Sequence, residues 1–190
     1  MSPTLADLEW PRHTARLSLR PPNADDARAI YEYRRLPEVS HWLSADPGSW
    51  DEFQVNFETR HARWLVVERE GRVIGGAKID IQNGCAQLEV AEQAKNTQAE
   101  LGWTFHPDVF GQGYGTELAR ELLAICFEEL GLRRVHAGCF ADNVASWKIM
   151  EKIGMRREGY FVRESLHREL GWLDGIEYAM LAEEWAALQV

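Results

Sequence analysis

A glycine-rich turn in the second half of the chain carries the clearest chemical signal in the sequence. It consists of Gly111, Gln112, Gly113, Tyr114, Gly115 and Thr116. A helical pattern over 117–130 follows directly, and the first N–H groups of a helix have no hydrogen-bond partner within it. These groups together carry roughly +0.5 of a charge, and glycine lets a ligand approach the backbone closely. The turn therefore predicts a site for a phosphorylated, anionic ligand.

The two best-known phosphate motifs do not fit this turn. A P-loop requires Gly-Lys followed by Ser or Thr, and the dinucleotide fingerprint GxGxxG requires glycine where Thr116 stands. A GxGxG pattern without them is equally typical of a tight helix entry that binds no ligand. The elements on either side of the turn therefore decide its interpretation.

The elements nearest the turn are a strand before it and an amphipathic helix after it. The strand covers 100–106 and ends at Pro107. The helix has an apolar stripe with the spacing of one helical face, and Gly131 stands where a C-terminal cap is expected. The stripe consists of Ala119, Leu122, Leu123, Cys126 and Leu130. A strand–turn–helix unit is predicted.

A second strand and a short helix follow this unit. The strand alternates through Val135, Ala137 and Cys139. Asp142 or Asn143 can cap the helix by accepting hydrogen bonds from its free N–H groups, and Gly154 ends it. The tail, over 156–166 and 172–181, has the pattern of a closing antiparallel hairpin.

The first half of the chain predicts further strands and helices. The expected elements are a strand over 16–20, a helix from Ala24 until Pro37, an aromatic loop over 41–50, a helix over 49–60, and strands over 64–68 and 73–81. Glu70-Gly71 between the last two strands predicts a hairpin turn. The segment 82–98 is an insertion of unknown shape. Because no repeat or linker divides the chain, we expect one mixed α/β domain over 1–190.

Composition restricts the partners and the cellular compartment. Thirty acidic and 21 basic residues give 190 residues a net charge of −9, which disfavours nucleic acid as a partner. No apolar run approaches the ~18 residues of a membrane span, and the N-terminus lacks a signal-peptide pattern, so a cytoplasmic protein without membrane contact is expected. The three cysteines indicate structural thiols in a reducing compartment. The six histidines contain no HExxH pair, so no metal site is predicted.

Three stretches resemble the GNAT acyltransferases. They read LGWTFHPDVFGQGYGTELARELL, FADNVASWKIMEKIGMRREG and WLDGIEYAMLAEEW, and the last resembles the RimJ/RimL-like branch, whose members acetylate protein N-termini or small amines. The resemblance in element order runs from about 17 to 185 and is most specific in the second half. It implies a central, mostly antiparallel, twisted sheet of about six to seven strands, flanked by about four helices.

The resemblance also implies acetyl-CoA as a co-substrate. Its pyrophosphate would lie against the N–H groups of 111–116, and its pantetheine arm would follow the strand edge at Trp103, Thr104 and Phe105. Asn143 would hold that arm or the adjacent backbone. Two positions depart from the family: Phe110 stands where Gln or Arg is common, and Met150 where many relatives have a thiolate-protonating Tyr. Because Phe110 carries no hydrogen-bond donor, we expect the side-chain contact to phosphate that Gln or Arg would make to be missing.

Transfer to an amine requires removal of a proton, because only the neutral amine attacks. Glu100, at the start of the strand beside the thioester, is the candidate base, directly or through water. A solvated carboxylate or a salt bridge is the structural alternative for Glu100, and Glu164 is the second candidate. A backbone N–H in 104–106 would stabilise the oxyanion.

Ser146 is the candidate donor to the departing CoA sulfur, although its hydroxyl is equally expected to bond the first turn of its helix. Tyr160 could take its place. Trp42 and Trp50 flank a loop with Asp46 and Asp51, and these residues are predicted to form a rim that accepts a cationic acceptor, while core packing is the alternative for both tryptophans.

The sequence therefore predicts an enzyme that transfers acetyl from acetyl-CoA directly to a primary amine. The acceptor is a small-molecule amine or a peptide N-terminus, and the protein is a monomer or a homodimer. Two alternatives remain. One is a noncatalytic acyl-CoA-binding module, for which Met150 is the main support. The other is nucleotide binding at the turn, which would give a higher affinity for ATP than for CoA.

Overall fold

The computed structural model describes residues 3–60 and 63–189, and its strands form one sheet. The strands are β1 (Arg12–His13), β2 (Ser18–Arg20), β3 (Trp64–Arg69), β4 (Arg72–Gln82), β5 (Gln98–Phe105), β6 (Arg134–Phe140), β7 (Arg156–His167) and β8 (Gly171–Leu181). Their order in the sheet is β1-β2-β3-β4-β5-β6-β8-β7. The α-helices are α1 (Asp26–Arg34), α2 (Pro37–Ser40), α3 (Trp50–Arg60), α4 (Tyr114–Ala124), α5 (Val144–Lys152) and α6 (Ala182–Leu188).

Pairing within the sheet is mainly antiparallel, as predicted. The pairs β1–β2, β2–β3, β3–β4, β6–β8 and β7–β8 are antiparallel. β5 and β6 run parallel over three residue pairs, ending at Glu100 opposite His136. This parallel pair brings the strand that precedes the glycine-rich turn beside the strand that follows its helix.

The mixed α/β class is confirmed, but eight strands lie in the described residues rather than six or seven. The two-residue strand β1 is too short to give an alternating pattern. The described chain has six α-helices rather than about four, because α2 begins at Pro37, where the sequence indicated only a break, and α6 follows β8. Proline is accepted at the first position of a helix, since the N–H that it lacks has no partner there. Pro37 therefore follows α1 and starts the next helix.

The chain divides into two compact units. The first unit contains Pro3–Ile79 and Gly102–Leu118, and the second contains Asp80–Leu101 and the chain from Ala119 onward. An aromatic cluster fills the core of the first unit, with Tyr31, Phe53 and Phe57 buried beneath the half-buried Trp50 and Trp64. The predicted hairpin is confirmed there, since Glu70 and Gly71 both have positive φ, 52° and 76°.

The core of the second unit is built on the predicted stripe of α4. Ala119, Leu122, Leu123 and Cys126 are fully buried, and Leu130 is 2% exposed. After Ala124 the helix continues as one π-helical turn, Ile125–Glu129, and Gly131 has the positive φ expected of a cap, 62°. Residues of β6 and β8 in the same unit are buried as well, among them Val135, Ala137 and Met180.

Two remaining segments of the second unit have definite shapes. The insertion holds an exposed 3₁₀ helix, Leu88–Ala94, and its base is closed by the Gly84 N–H, which donates to Ala94 O at 2.7 Å. The tail hairpin is confirmed as β7–β8. Across the described ranges, none of the helices combines the length and the apolar character that a bilayer crossing requires.

Candidate active site

The glycine-rich turn has the backbone geometry of an anion site. Gly111 and Gly113 have φ of +73° and +83°, a region that other residues rarely adopt. α4 begins at Tyr114 and not at the predicted position 117, so the last three residues of the turn form the first helical turn. The first bond of the helix runs from the Glu117 N–H to Gly113 O at 3.2 Å, so three N–H groups precede it.

The space beside the turn also fits a phosphate. A Cβ built on Gly111 would meet nothing within 4 Å, so the backbone there is open to a ligand. Phe110 is 51% exposed, and its side chain brings no charge to this edge. The donors available from the turn are thus backbone N–H groups, a set that suits the oxygens of the CoA pyrophosphate.

An ionic cluster anchors the turn to the N-terminal segment. The Arg16 guanidinium pairs with Glu117 at 2.6 Å, donates to Gln112 O at 3.0 Å, and lies 4.4 Å from the ring centroid of Tyr114. The Thr14 hydroxyl donates to the other Glu117 oxygen at 2.5 Å. Burial raises the pKa of Glu117, but the hydrogen bonds from Thr14 and Arg16 outweigh it and leave the pKa lowered.

The strand before the turn is held close to its neighbour. A Cβ on Gly75 of β4 would lie 2.5 Å from Thr104 O and 2.8 Å from the ring of Phe105, so only glycine fits there. The Thr104 hydroxyl bonds the hydroxyl of the buried Tyr33 at 3.1 Å. His106 N–H donates to Ile74 O at 2.8 Å, which removes it from the candidate oxyanion donors. Trp103 is half-buried and Phe105 is buried.

In the second unit, Asn143 and not Asp142 caps α5. Its Oδ1 accepts the N–H of Ser146 at 3.3 Å. Burial raises the pKa of the Cys139 thiol to about 11, partly offset by hydrogen bonds from the Ser146 hydroxyl and the Trp147 N–H. Ser146 is half-buried, and Met150 is 1% exposed in the core. The first turn of α5 thus carries a polar hydroxyl, while the methionine packs inside.

Glu100 belongs to a set of side chains from four strands that we call the polar row: Gln82, Glu100, His136 and Glu177. The Gln82 amide nitrogen lies 3.5 Å from a Glu100 oxygen, and its amide oxygen lies 3.3 Å from Nε2 of His136. Nδ1 of His136 lies 3.1 Å from a Glu177 oxygen. All four side chains are half-buried. Of these four residues only Glu100 was predicted, because no spacing in the sequence joins residues that meet through sheet register.

The other predicted acid–base candidates have partners of their own. Glu164 is exposed and accepts the Ser165 hydroxyl at 2.6 Å. Tyr160 is 54% exposed, and its hydroxyl donates to Asp174, a hydrogen bond that raises the pKa of Tyr160. Both residues therefore have surface roles that need no catalysis.

The predicted acceptor rim lies in the first unit. The Arg28 guanidinium lies 4.9 Å from the ring centroid of Trp50, which also packs edge-on against Tyr31. Asp46 is exposed and accepts the Gly48 N–H at 2.8 Å, and the half-buried Trp42 contacts His41. One face of Trp50 is thus already covered by a cation of the protein.

Thiols and metal-binding groups add nothing to the site. Burial raises the pKa of Cys126 strongly, and Cys85 is exposed. Within residues 3–60 and 63–189, His, Cys, Asp and Glu side chains form no group of three or more that could hold a metal ion.

Comparisons with known proteins identify the family of the chain. Residues 16–156 match the family model of the acetyltransferase (GNAT) domain. The uncharacterized N-acetyltransferase YnaD of Bacillus subtilis is 42% identical over 86 residues, so the match spans 45% of this chain and half the length of that relative. The FsC-acetyl coenzyme A-N(2)-transacetylase of Aspergillus fumigatus is 27% identical over 93% of this chain and 78% of its own length.

A solved structure extends the agreement to the whole fold. The GNAT-family acetyltransferase from Bacillus anthracis has a TM-score of 0.76 and 30% identity, covering 90% of this chain and 98% of that one. The chain therefore belongs to the GNAT acetyltransferase family, which confirms the predicted class of acyl-CoA-dependent N-acetyltransferase.

Proposed function

We propose that the protein transfers the acetyl group of acetyl-CoA directly to a primary amine, with Glu100 as the general base. The observation that carries this proposal is the strand–turn–helix unit of a GNAT domain, with an open turn and a carboxylate on its strand β5. Bound acetyl-CoA supplies an activated thioester. Everything else in the reaction is assigned to residues of this chain.

Cofactor binding is assigned to the glycine-rich turn. The N–H groups of 111–116 would hold the pyrophosphate, with the carbonyl of Gln112 directed to Arg16. The Thr104 side chain already bonds Tyr33, so the strand edge at Trp103, Thr104 and Phe105 would contact the pantetheine arm mainly through its backbone. Asn143 uses its side-chain oxygen to cap α5, which leaves its amide nitrogen as the group for that arm.

Glu100 would accept the proton of the amine. An α-amino group titrates near 7.7 to 8.0 and a lysine near ~10.4, so a protonated amine must lose a proton before it attacks. The half-buried Glu100 has the amide of Gln82 beside it, which supports an ordered carboxylate at this position. A backbone N–H of β5 other than that of His106 would stabilise the oxyanion. Ser146 would donate to the departing sulfur.

The acceptor is proposed to be a small-molecule amine or a peptide N-terminus that is cationic in solution. The net charge of −9 and the carboxylates beside Trp42 and Trp50 favour attraction of a cation. The name of the Aspergillus relative describes transfer from acetyl coenzyme A to a nitrogen, which agrees with an amine acceptor. We also propose that the enzyme is RimJ/RimL-like, from the resemblance of its last stretch, and cytoplasmic, from the sequence pattern described above.

A noncatalytic acyl-CoA-binding module is the second candidate. Its support is Met150, which stands where the resemblance to the family implies a tyrosine; the thioether carries no acidic proton, so it cannot protonate a thiolate. The Ser146 hydroxyl in the first turn of α5 is the feature that favours catalysis over this alternative.

The test is acetyl-CoA turnover against panels of polyamines, amino sugars, amino acids and short peptides with free N-termini. Released CoA thiol is measured, and the acetylated amine is identified by mass spectrometry. We expect one acceptor class to give product in equal amount to thiol, without acetylated protein as an intermediate. Tight CoA binding with no product across all panels would support the noncatalytic module instead.

A further inference from the structure

We propose that Gln82 and His136 are positioning residues that hold the Glu100 carboxylate in the orientation in which it accepts a proton. This inference rests on the proposed function, because it assigns Glu100 as the base. It concerns three contacts of the polar row: Glu100 to Gln82 at 3.5 Å, Gln82 to His136 at 3.3 Å, and His136 to Glu177 at 3.1 Å.

The Gln82 amide gives these contacts a direction. An amide has two donors on its nitrogen and only acceptors on its oxygen. With the nitrogen toward Glu100, the carboxylate receives a hydrogen bond that fixes its orientation. The oxygen then faces Nε2 of His136, and this contact is attractive only when Nε2 carries a proton.

His136 satisfies every contact when it is an imidazolium. Glu177 accepts from Nδ1, and Gln82 accepts from Nε2, so both ring nitrogens are donors. If Nε2 loses its proton, its lone pair faces the amide oxygen. The amide then gains by reversing, which turns its oxygen toward Glu100 and removes the hydrogen bond that orients the carboxylate. The proton on Nε2 of His136 and the orientation of Glu100 are thereby coupled through Gln82.

Three charged side chains lie near His136. Glu177 of β8 contacts the ring directly, and Glu100 of β5 lies beyond Gln82. On the strand of His136 itself, Arg134 lies 3.8 Å from the same Glu177 oxygen. Arg134 is also paired with Glu158 of β7, which binds it more closely than Glu177 does. Glu177 is therefore the carboxylate that holds the imidazole ring beside Gln82.

Backbone pairing fixes the spacing of the row. Glu100 stands directly opposite His136 in the parallel β5–β6 ladder, and Gln82 lies at the end of β4, the other neighbour of β5 in the sheet. Gln98 lies two residues before Glu100 on β5 and donates instead to Asn83 O at 3.1 Å. It offers a matched glutamine whose amide does not join the row.

The experiment compares kcat, acetyl-CoA KM and pH profiles for Gln82→Met, His136→Phe and His136→Gln, with Gln98→Met as the control. Misplacement of a catalytic group by about 1 Å can cost on the order of 10² in rate, so we expect Gln82→Met and His136→Phe to lose about tenfold in kcat. Acetyl-CoA KM and the melting temperature should stay close to those of Gln98→Met. His136→Gln keeps a donor toward Gln82 and should recover most of the rate.

The pH profile separates positioning from packing. A histidine side chain generally changes charge between about pH 5 and 8, whereas the amide introduced by His136→Gln does not titrate. The ratio of kcat for His136→Gln over the parent should therefore rise with pH. A flat ratio would contradict the coupling.

A double variant separates failure of this inference from failure of the base assignment. Gln82→Met added to Glu100→Gln should cause no further loss, because Gln82 acts through Glu100. If the kcat of Gln82→Met lies within twofold of that of Gln98→Met while the kcat of Glu100→Gln is low, the inference alone is overturned. Glu100→Gln as fast as the parent would overturn the base assignment and the inference together.

Discussion

The glycine-rich turn and the polar row are built in opposite ways. The turn consists of contiguous residues, offers backbone N–H groups and owes its shape to two glycines with positive φ. The polar row joins side chains from four strands, and Gln82 and His136 are 54 positions apart. A backbone site tolerates most side-chain changes that keep its conformation, whereas a side-chain network changes with the loss of one amide. Binding and chemistry should therefore respond to different substitutions.

The largest effect expected at the turn comes from Gly113→Val. Valine is strained at a φ of +83°, and its side chain would approach the Arg16 guanidinium, which lies 3.5 Å from a Cβ at this position. CoA affinity should fall tenfold or more, on the order of 1.4 kcal/mol, while kcat at saturating acetyl-CoA changes little. Calorimetric titration with CoA measures this.

Gly171→Val is the control for strain alone. Gly171 has a φ of +77° in the β7–β8 turn, where a Cβ would meet nothing within 4 Å. This variant should bind CoA like the parent, and both variants should keep a native far-UV circular dichroism spectrum. Equal CoA affinity in Gly113→Val and Gly171→Val would remove the turn from the cofactor site.

A smaller effect is expected where the turn is anchored. Glu117→Gln weakens the bonds from Arg16 and Thr14 and should lower the free energy of unfolding by about 1 kcal/mol at neutral pH, since Arg16 is 45% exposed and solvent screens the pair. The pKa of Glu117 is lowered by folding. The contribution of Glu117 to the free energy of unfolding is therefore fully present above the pKa of the unfolded state, ~4.3. It is lost as pH falls through the lower pKa of the folded state.

Urea unfolding at neutral pH and near pH 3 tests this sign. The difference in free energy of unfolding between the parent and Glu117→Gln should be smaller near pH 3 than at neutral pH. Glu32→Gln, in the exposed pair between Arg28 and Glu32, is the control and should change stability by no more than about 0.5 kcal/mol. A difference that grows on acidification would contradict the assigned role of the Glu117 carboxylate.

The smallest effect is expected at the acceptor rim. Asp46→Asn combined with Asp51→Asn should raise amine KM modestly and flatten its salt dependence, because exposed charges are screened beyond about 8 Å at ~0.15 M ionic strength. Acetyl-CoA KM should stay the same. Glu89→Gln with Glu92→Gln removes two exposed charges from the 3₁₀ helix and serves as the charge-matched control. If both double variants show the same salt slope, the rim does not attract the acceptor.

Local patterns in the sequence predicted local structure well. The stripe from Ala119 to Leu130, the Glu70-Gly71 hairpin turn and the Gly131 cap depend on neighbours within a few positions, and all three are confirmed. The predicted break at Pro37 is confirmed, since α1 ends at Arg34, but the short helix that Pro37 begins was not predicted, because proline both breaks a helix and begins one. The predicted start of α4 was three residues late, since Tyr114 lies between glycines that indicated a loop.

Tertiary contacts set the limit of sequence reasoning about the site. Glu100 was predicted, but its partners Gln82 and His136 depend on which strands are neighbours and in what register. Arg16 likewise reaches Glu117 across 101 positions. A free carboxylate and a carboxylate held by an amide have the same sequence signature, so only the fold distinguishes them.

The most direct test of the account is the kcat of Glu100→Gln at saturating acetyl-CoA, measured with the preferred amine from neutral to alkaline pH. A general base contributes about 10² to 10⁴ in rate, so we predict a loss in that range at neutral pH. The loss should shrink as pH rises, because more of the amine is then neutral without help, and acetyl-CoA KM should be unchanged. A variant within twofold of the parent at neutral pH would contradict the account and make Glu100 a structural residue of the polar row.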